Sequence, residues 1–451
     1  MLALLFAAQG TLVFLVSVFS IKHLFGILLL VSFAVLTLFS TKRLLLALIF
    51  LIIVMPIIYY RSPLIPFAIT YELVGLLFAI LLFYFLIQLL SRGTRCAKCC
   101  LGLPLSVFLL WCAGSALVGF TKGHRLFLIF YEIFFLFLYV TYWIVIETAR
   151  DERFIRSLFL IIVVGTVLVS MEYLYVAVGS RGLSFLMSGR IATRQANMAL
   201  VALPYLVTGL FFSLPRRKKI ASLLAVFLIL PMVLLSQQRA LWAGLAMSLF
   251  VVCVLTWKKT RLSLKQSLVG LMVLVLVFII LSQGLMILQR VTGLNITGIL
   301  QKRLLSFLNV TQDPAILVRF QDYTAVLEKT KDHPVLGCGL GDSFLQLSTR
   351  RSAPFVDNSF LTILWKTGIV GLCAYLWLIV SFFRRASYVI RKTAEEGTLT
   401  IAISTTASFT GLLFVALSAA TLLGYRLIIV WATLLGIIEV LALRTRKAEI
   451  T

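Results

Sequence analysis

In a largely apolar chain, four stretches carry side chains placed to bind and move charge. Gly189-Arg-Ile-Ala-Thr-Arg-Gln-Ala-Asn197 carries Arg190 and Arg194, and Ser236-Gln-Gln-Arg-Ala-Leu-Trp242 carries Arg239. Val318-Arg-Phe-Gln-Asp322 carries Arg319, and Val356-Asp-Asn-Ser-Phe-Leu361 carries Asp357 and Asn358. A guanidinium is permanently charged and presents planar donors that match phosphate oxygens, so several at a membrane–water boundary suit a lipid-borne phosphate or pyrophosphate. Snorkelling of long side chains to the interface is the alternative use. Asp357 stands just ahead of an apolar run, where it can cap a helix or place a carboxylate at the mouth of a cavity.

The remaining ionisable groups narrow the chemistry. Asp313, Asp322, Glu328, Asp332, Asp342 and Asp357 lie in or at the end of one polar insert, whereas Glu72, Glu132 and Glu172 lie inside apolar runs. A carboxylate in hydrocarbon is costly unless it is paired or faces a wet cavity, so each of these three is expected either to join helices or to line a substrate cavity. His333 precedes Pro334 and is expected in an extended turn, with substrate contact as the second use. The glycines of Gly337-Cys-Gly-Leu-Gly341 do not open a repeating strand–helix unit; they suit a tight turn that returns the insert to the membrane. The cluster at Cys96, Cys99 and Cys100 lacks a second ligand pair, and only His23, His124 and His333 are present. The residues therefore call for no metal and no cofactor.

These groups need a membrane scaffold. Hydrophobic residues make up 61% of the 451, and apolar runs such as Leu44 to Tyr60 and Leu126 to Ile146 are long enough to cross a bilayer. Neither run alternates as a barrel strand would. The fold expected is all-α: a polytopic transmembrane bundle of about 12–14 helices. Helices fall near 3–20, 24–40, 43–60, 66–90, 101–120, 126–148, 154–178, 197–214, 220–236, 239–256, 267–288, 357–382, 399–418 and 421–443. Residues 1–288 form the N-terminal helices, 289–356 one large outer loop and 357–451 the C-terminal helices. Within the loop, Leu304, Leu305, Phe307 and Leu308, then Phe320, Tyr323, Val326 and Leu327, recur at helical spacing and predict amphipathic helices. A net charge of +25 reflects Lys and Arg concentrated in alternate short links between apolar runs, not a nucleic-acid surface. The positive-inside rule puts those links and both termini in the cytoplasm and the insert outside.

With these residues in view, a family resemblance emerges. Lys331-Asp-His-Pro-Val-Leu-Gly-Cys-Gly-Leu-Gly341, Asp357-Asn-Ser-Phe-Leu361 and Gly368-Ile-Val-Gly-Leu372, together with the upstream Ser236 and Val318 elements, resemble the O-antigen ligase and polymerase superfamily. These are bacterial cell-envelope glycosyltransferases. The resemblance is ordered across roughly residues 190 to 380. It implies transfer of a glycan from an undecaprenyl-diphosphate donor to a glycan or lipid A-core acceptor at the periplasmic face of the inner membrane. Bound membrane lipids and envelope polysaccharide assembly proteins are the implied partners. Arg239 and Arg319 would contact the diphosphate, Asp357 would act as base, and Arg194, Arg190, Glu172, Asn358 and His333 would contact substrate. Ligases of the family carry His where this chain has Asp357, which tilts the expectation toward a polymerase. A lipid-glycan transporter is the competing class, since many helices and a cationic cavity also suit one.

Overall fold

The computed structural model describes residues 41–61, 99–149, 151–178, 196–212, 215–236, 238–260, 314–346, 351–421 and 425–450, with isolated positions between 78 and 86. The helices expected near 3–20, 24–40 and 267–288, most of 66–90, and the sites Glu72, Arg190 and Arg194 lie outside the described residues. Two compact units are present, Met1–Thr94 and Arg95–Thr451. In the first, α1 spans Thr41–Arg61.

The second unit holds the polar groups. Its helices are α2 (Gly102–Thr121), α3 (Leu126–Thr148, with a 3-10 turn at Leu138–Val140), α4 (Glu152–Val178), α5 (Ala199–Phe211), α6 (Arg216–Leu235) and α7 (Arg239–Thr260). After them come α8 (Pro314–Lys331), the strands β1 (Phe344–Gln346) and β2 (Arg351–Ala353), and then α9 (Ser359–Lys392), α10 (Glu396–Ala416) and α11 (Tyr425–Ile450). Seven of the described helices are long and apolar enough to cross a membrane. The protein is thus a polytopic all-α membrane protein, as its hydropathy predicts. Among the described residues, a short antiparallel hairpin in the outer insert was not anticipated; it pairs Phe344 with Ala353 and Gln346 with Arg351.

α10 is the centre of the bundle, packed on α5, α7, α9 and α11. Its many hydroxyls do not break it, because Ser404, Thr405, Thr406 and Thr410 each donate to the carbonyl one turn back. Small residues then let helices approach: a Cβ on Gly244 of α7 would lie 2.8 Å from the Gly411 carbonyl of α10. Phe382 stacks on Phe409 at 3.7 Å, and Phe409 meets Trp431 edge-on at 4.6 Å, which ties α9, α10 and α11 together.

The two ends of the bundle differ in chemistry. At one end, Lys259 donates to the Arg391 carbonyl, Arg385 pairs with Glu439 at 3.0 Å, and Glu439 accepts the backbone N–H groups of Cys100 and Leu101. The basic links at 258–259, 384–392 and 444–447 therefore gather there. Glu439, fully buried, satisfies the Cys100 and Leu101 N–H groups at the entry to α2, where no helical carbonyl can reach them. α8, the hairpin and the N-terminus of α9 lie at the opposite end.

α9 is not the simple helix of 357–382 that the apolar run suggests. It extends to Lys392 and is broken at Gly368, whose backbone has φ 67° and ψ −172°. The first arm, 359–367, is about 14 Å long and the second, 369–392, about 36 Å, so the second alone can cross a hydrocarbon core of about 30 Å. The break strands carbonyls that the outer turn then satisfies. Cys338 and Gly339 donate to the carbonyls of Trp365 and Lys366 at 2.8 and 3.1 Å, Ser115 donates to Lys366 and Trp111 to Thr367, both at 2.7 Å. That backbone region is open only to glycine, at a cost of ~1–3 kcal/mol for other residues. An added Cβ would also sit 2.0 Å from the Val335 carbonyl. Gly368→Ala is expected to lower the thermal midpoint in detergent by several degrees, while Gly114→Ala, which meets nothing within 4 Å, leaves it unchanged.

Candidate functional site

Each polar group is placed by a local rule. At Arg239 the chain reverses between α6 and α7 over a few residues. Ser236 donates its hydroxyl to the Val233 carbonyl at 2.7 Å, and the Trp242 indole reaches the same carbonyl at 2.7 Å. These bonds staple the end of α6 to the start of α7 and leave Arg239 as the first residue of α7, half-buried. A cation at a helix N-terminus adds to the positive end of the helix dipole, a combination that favours an anion. α7 and α10 run antiparallel through the Gly244–Gly411 contact, so Arg239 lies toward the end of the bundle where the Ala419 carbonyl accepts the Ser359 hydroxyl at 2.7 Å.

At that end Asp357 and Arg319 meet. Asn358, not Asp357, caps α9: its side-chain oxygen accepts the Leu361 N–H at 3.0 Å. The capping role open to Asp357 in the sequence is thereby filled by its neighbour, and the Asp357 carboxylate turns to Arg319 on α8, Nε to Oδ2 3.2 Å. Both side chains are nearly half exposed, at 43% and 45%. A surface pair of this kind adds little to stability. It is instead a cation and an anion jointly open to a ligand.

Tyr323, one turn beyond Arg319 on α8, donates its hydroxyl to the Asp357 backbone carbonyl at 2.6 Å. Partial burial raises the Tyr323 pKa, so the phenol keeps its proton as a donor. Beneath them Val326, Cys338, Phe344, Val356 and Trp365 form a small core with Tyr323, Ala353 and Leu361 packed on it. Tyr323→Phe removes one hydrogen bond of ~1 kcal/mol and loosens the Asp357 backbone. The thermal stability of that variant is expected to stay near that of wild type.

Not every residue singled out by sequence joins this group. His333 is exposed in the turn after α8 and donates its N–H to Thr330; the turn reading describes it. Fourteen positions along from Arg319, it lies about 20 Å away in helical rise. Glu172, on α4, is partly exposed near the C-terminal end of that helix. Glu132 takes the ion-pair option, against Lys366 at 2.8 Å with both side chains buried. Lys366 was not singled out by sequence, although a lysine between Trp365 and the glycines of an apolar helix was the available signal. The same holds for Lys329, whose ammonium reaches Asp342 at 3.1 Å. Burial would raise the Asp342 pKa, but hydrogen bonds from Lys329, Trp365 and Ser343 hold it below the ordinary carboxylate value.

Residues 224–376 match the family model described as O-antigen ligase. The matched stretch contains Arg239, Arg319, Asp357, Asn358 and the broken arm of α9, and excludes Glu172, Arg190 and Arg194. No curated protein matches the chain.

Proposed function

We propose, from the similarity of residues 224–376 to the O-antigen ligase family model, that this chain transfers a glycan from undecaprenyl diphosphate to a hydroxyl acceptor at the periplasmic face. The observation that carries the reading is the open Arg319–Asp357 pair at the mouth of the bundle, on the end away from the basic links. The acceptor hydroxyl attacks the anomeric carbon, the bond from that carbon to the diphosphate oxygen breaks, and Asp357 takes the hydroxyl proton. Negative charge that develops on the departing diphosphate is met by Arg319 and Arg239.

The pairing of Arg319 with Asp357 fits this sequence of events. A diphosphate carries more charge than one carboxylate and draws the guanidinium toward itself. That exchange frees the Asp357 carboxylate when the donor is in place. Arg194 and Arg190 act as further anion contacts, and Asn358 and Glu172 as flanking groups. His333 is assigned to the turn. The Asp-Asn pair at 357–358 favours growth of a polymer over a single ligation. The test is to supply purified protein with the host's undecaprenyl-diphosphate glycan, alone or with lipid A-core, and resolve the products on a gel. A ladder from donor alone supports polymerisation, and a shift that requires lipid A-core supports ligation.

A further inference from the structure

A second set of charges stands apart from the Arg319–Asp357 pair. Glu132 of α3 holds Lys366 of α9 at 2.8 Å, and its other oxygen accepts the Gly341 N–H at 2.9 Å. Lys366 also donates to the Asp342 backbone carbonyl. The Asp342 carboxylate in turn accepts from Lys329 of α8 at 3.1 Å and from the Trp365 indole at 2.9 Å, and Lys329 reaches the Ser343 carbonyl at 2.7 Å. The Lys366 ammonium lies over the Trp365 ring at 4.3 Å. Glu132, Lys366, Asp342 and Lys329 thus form one continuous chain of contacts from a membrane helix to an outer helix.

Burying an ion pair is a poor way to gain stability, because apolar side chains of the same volume serve as well or better. What such a pair supplies is a single arrangement of the segments it joins. Here the segments are α8 and the first arm of α9, the two elements that present Arg319 and Asp357. They run alongside each other and are tied twice. One tie is Arg319 and Tyr323 on Asp357; the other is Lys329 on Asp342 and through it on Trp365 and Lys366, about 14–15 Å further along both helices. The open tie is surface-exposed and weak, so its geometry depends on the buried one.

We propose that the Glu132–Lys366–Asp342–Lys329 chain is a positioning device: anchored on α3, it fixes α8 against the first arm of α9 and so sets the separation of Arg319 and Asp357. The proposal takes those two residues as the site of transfer, as argued above, yet its structural half can be read without any transfer.

The test is the double variant E132Q/K366M, which removes both buried charges and leaves neither unpaired. Three quantities are read: the thermal midpoint in detergent, kcat and donor KM, and bridging of an added R319C/D357C pair by a short bismaleimide, the last scored from the bridged peptide by mass spectrometry. The expected result is a midpoint within a few degrees of wild type, a bridging yield several-fold lower, and kcat down about tenfold or more at nearly unchanged KM. Wild-type bridging and kcat would overturn the proposal, as would activity lost only in proportion to folded protein. Should the double variant not fold, Asp342→Ala, which removes the carboxylate that accepts from Lys329 and Trp365 at a partly exposed loop residue, decides in the same way. Normal bridging of R319C/D357C in the otherwise wild-type chain, reduced in the double variant, beside no glycan transfer by the wild-type protein would sink the functional reading and leave the positioning chain intact. Unchanged bridging in the variant beside active wild type would sink the positioning chain alone.

Discussion

Asp357→Asn is expected to lower glycan transfer by about 10²–10⁴-fold, the range that a positioned general base contributes, while binding of the lipid-linked donor persists. The amide keeps the size of the side chain and can still hydrogen-bond, but it cannot take a proton from the acceptor. The exposed setting of Asp357 makes the variant interpretable: at 45% exposure its replacement opens no cavity, and Asn358 retains the helix cap. Thermal stability should therefore match wild type. Asp357→Glu, which restores a carboxylate on a longer stem, should recover part of the rate. Loss of donor binding together with rate in Asp357→Asn would instead assign the carboxylate to substrate holding.

The second large effect is expected at the arginines. Removal of one preorganised charge aimed at a developing anion costs about 10²–10³-fold in turnover, and Arg239→Ala and Arg319→Ala should each fall in that range. The two are predicted to differ in a telling way. Arg239 opens α7, where the helix dipole adds to its charge, so its loss should weaken donor binding as well as turnover. Arg319 is held by Asp357 and reaches the diphosphate by exchange, so its loss should fall mainly on kcat. Lysine at either position keeps the charge and loses the planar fork, and partial activity is expected. Product assays at saturating and limiting donor separate the two cases.

Much of this was legible in the chain. The apolar runs set the class and most described helices within a few residues, since a span in hydrocarbon must satisfy its own backbone and leaves little choice of element. The approach of Arg319 to Asp357 was legible only as two entries in an ordered set of motifs. What was not legible depends on contacts distant in sequence. The break in α9 reads as a continuous apolar helix, because Gly368 is one glycine among several and the carbonyl it packs against is at Val335. Asn358 displaced Asp357 as the cap, a choice that local preference does not settle because both residues cap well. The pairing of Glu132 with Lys366 spans most of the matched region and more. A sequence marks each charge as needing a partner but does not say which one.

Transfer differs from transport in that a glycosidic bond forms at the expense of the lipid diphosphate linkage. The most direct measurement counts undecaprenyl diphosphate released against glycosidic bonds formed, by purified protein reconstituted in liposomes with a labelled donor. One carrier diphosphate released per new bond, with both lost together in Asp357→Asn, is the predicted result. Movement of intact donor between leaflets with no carrier released and no new bond would contradict it and assign the chain to transport.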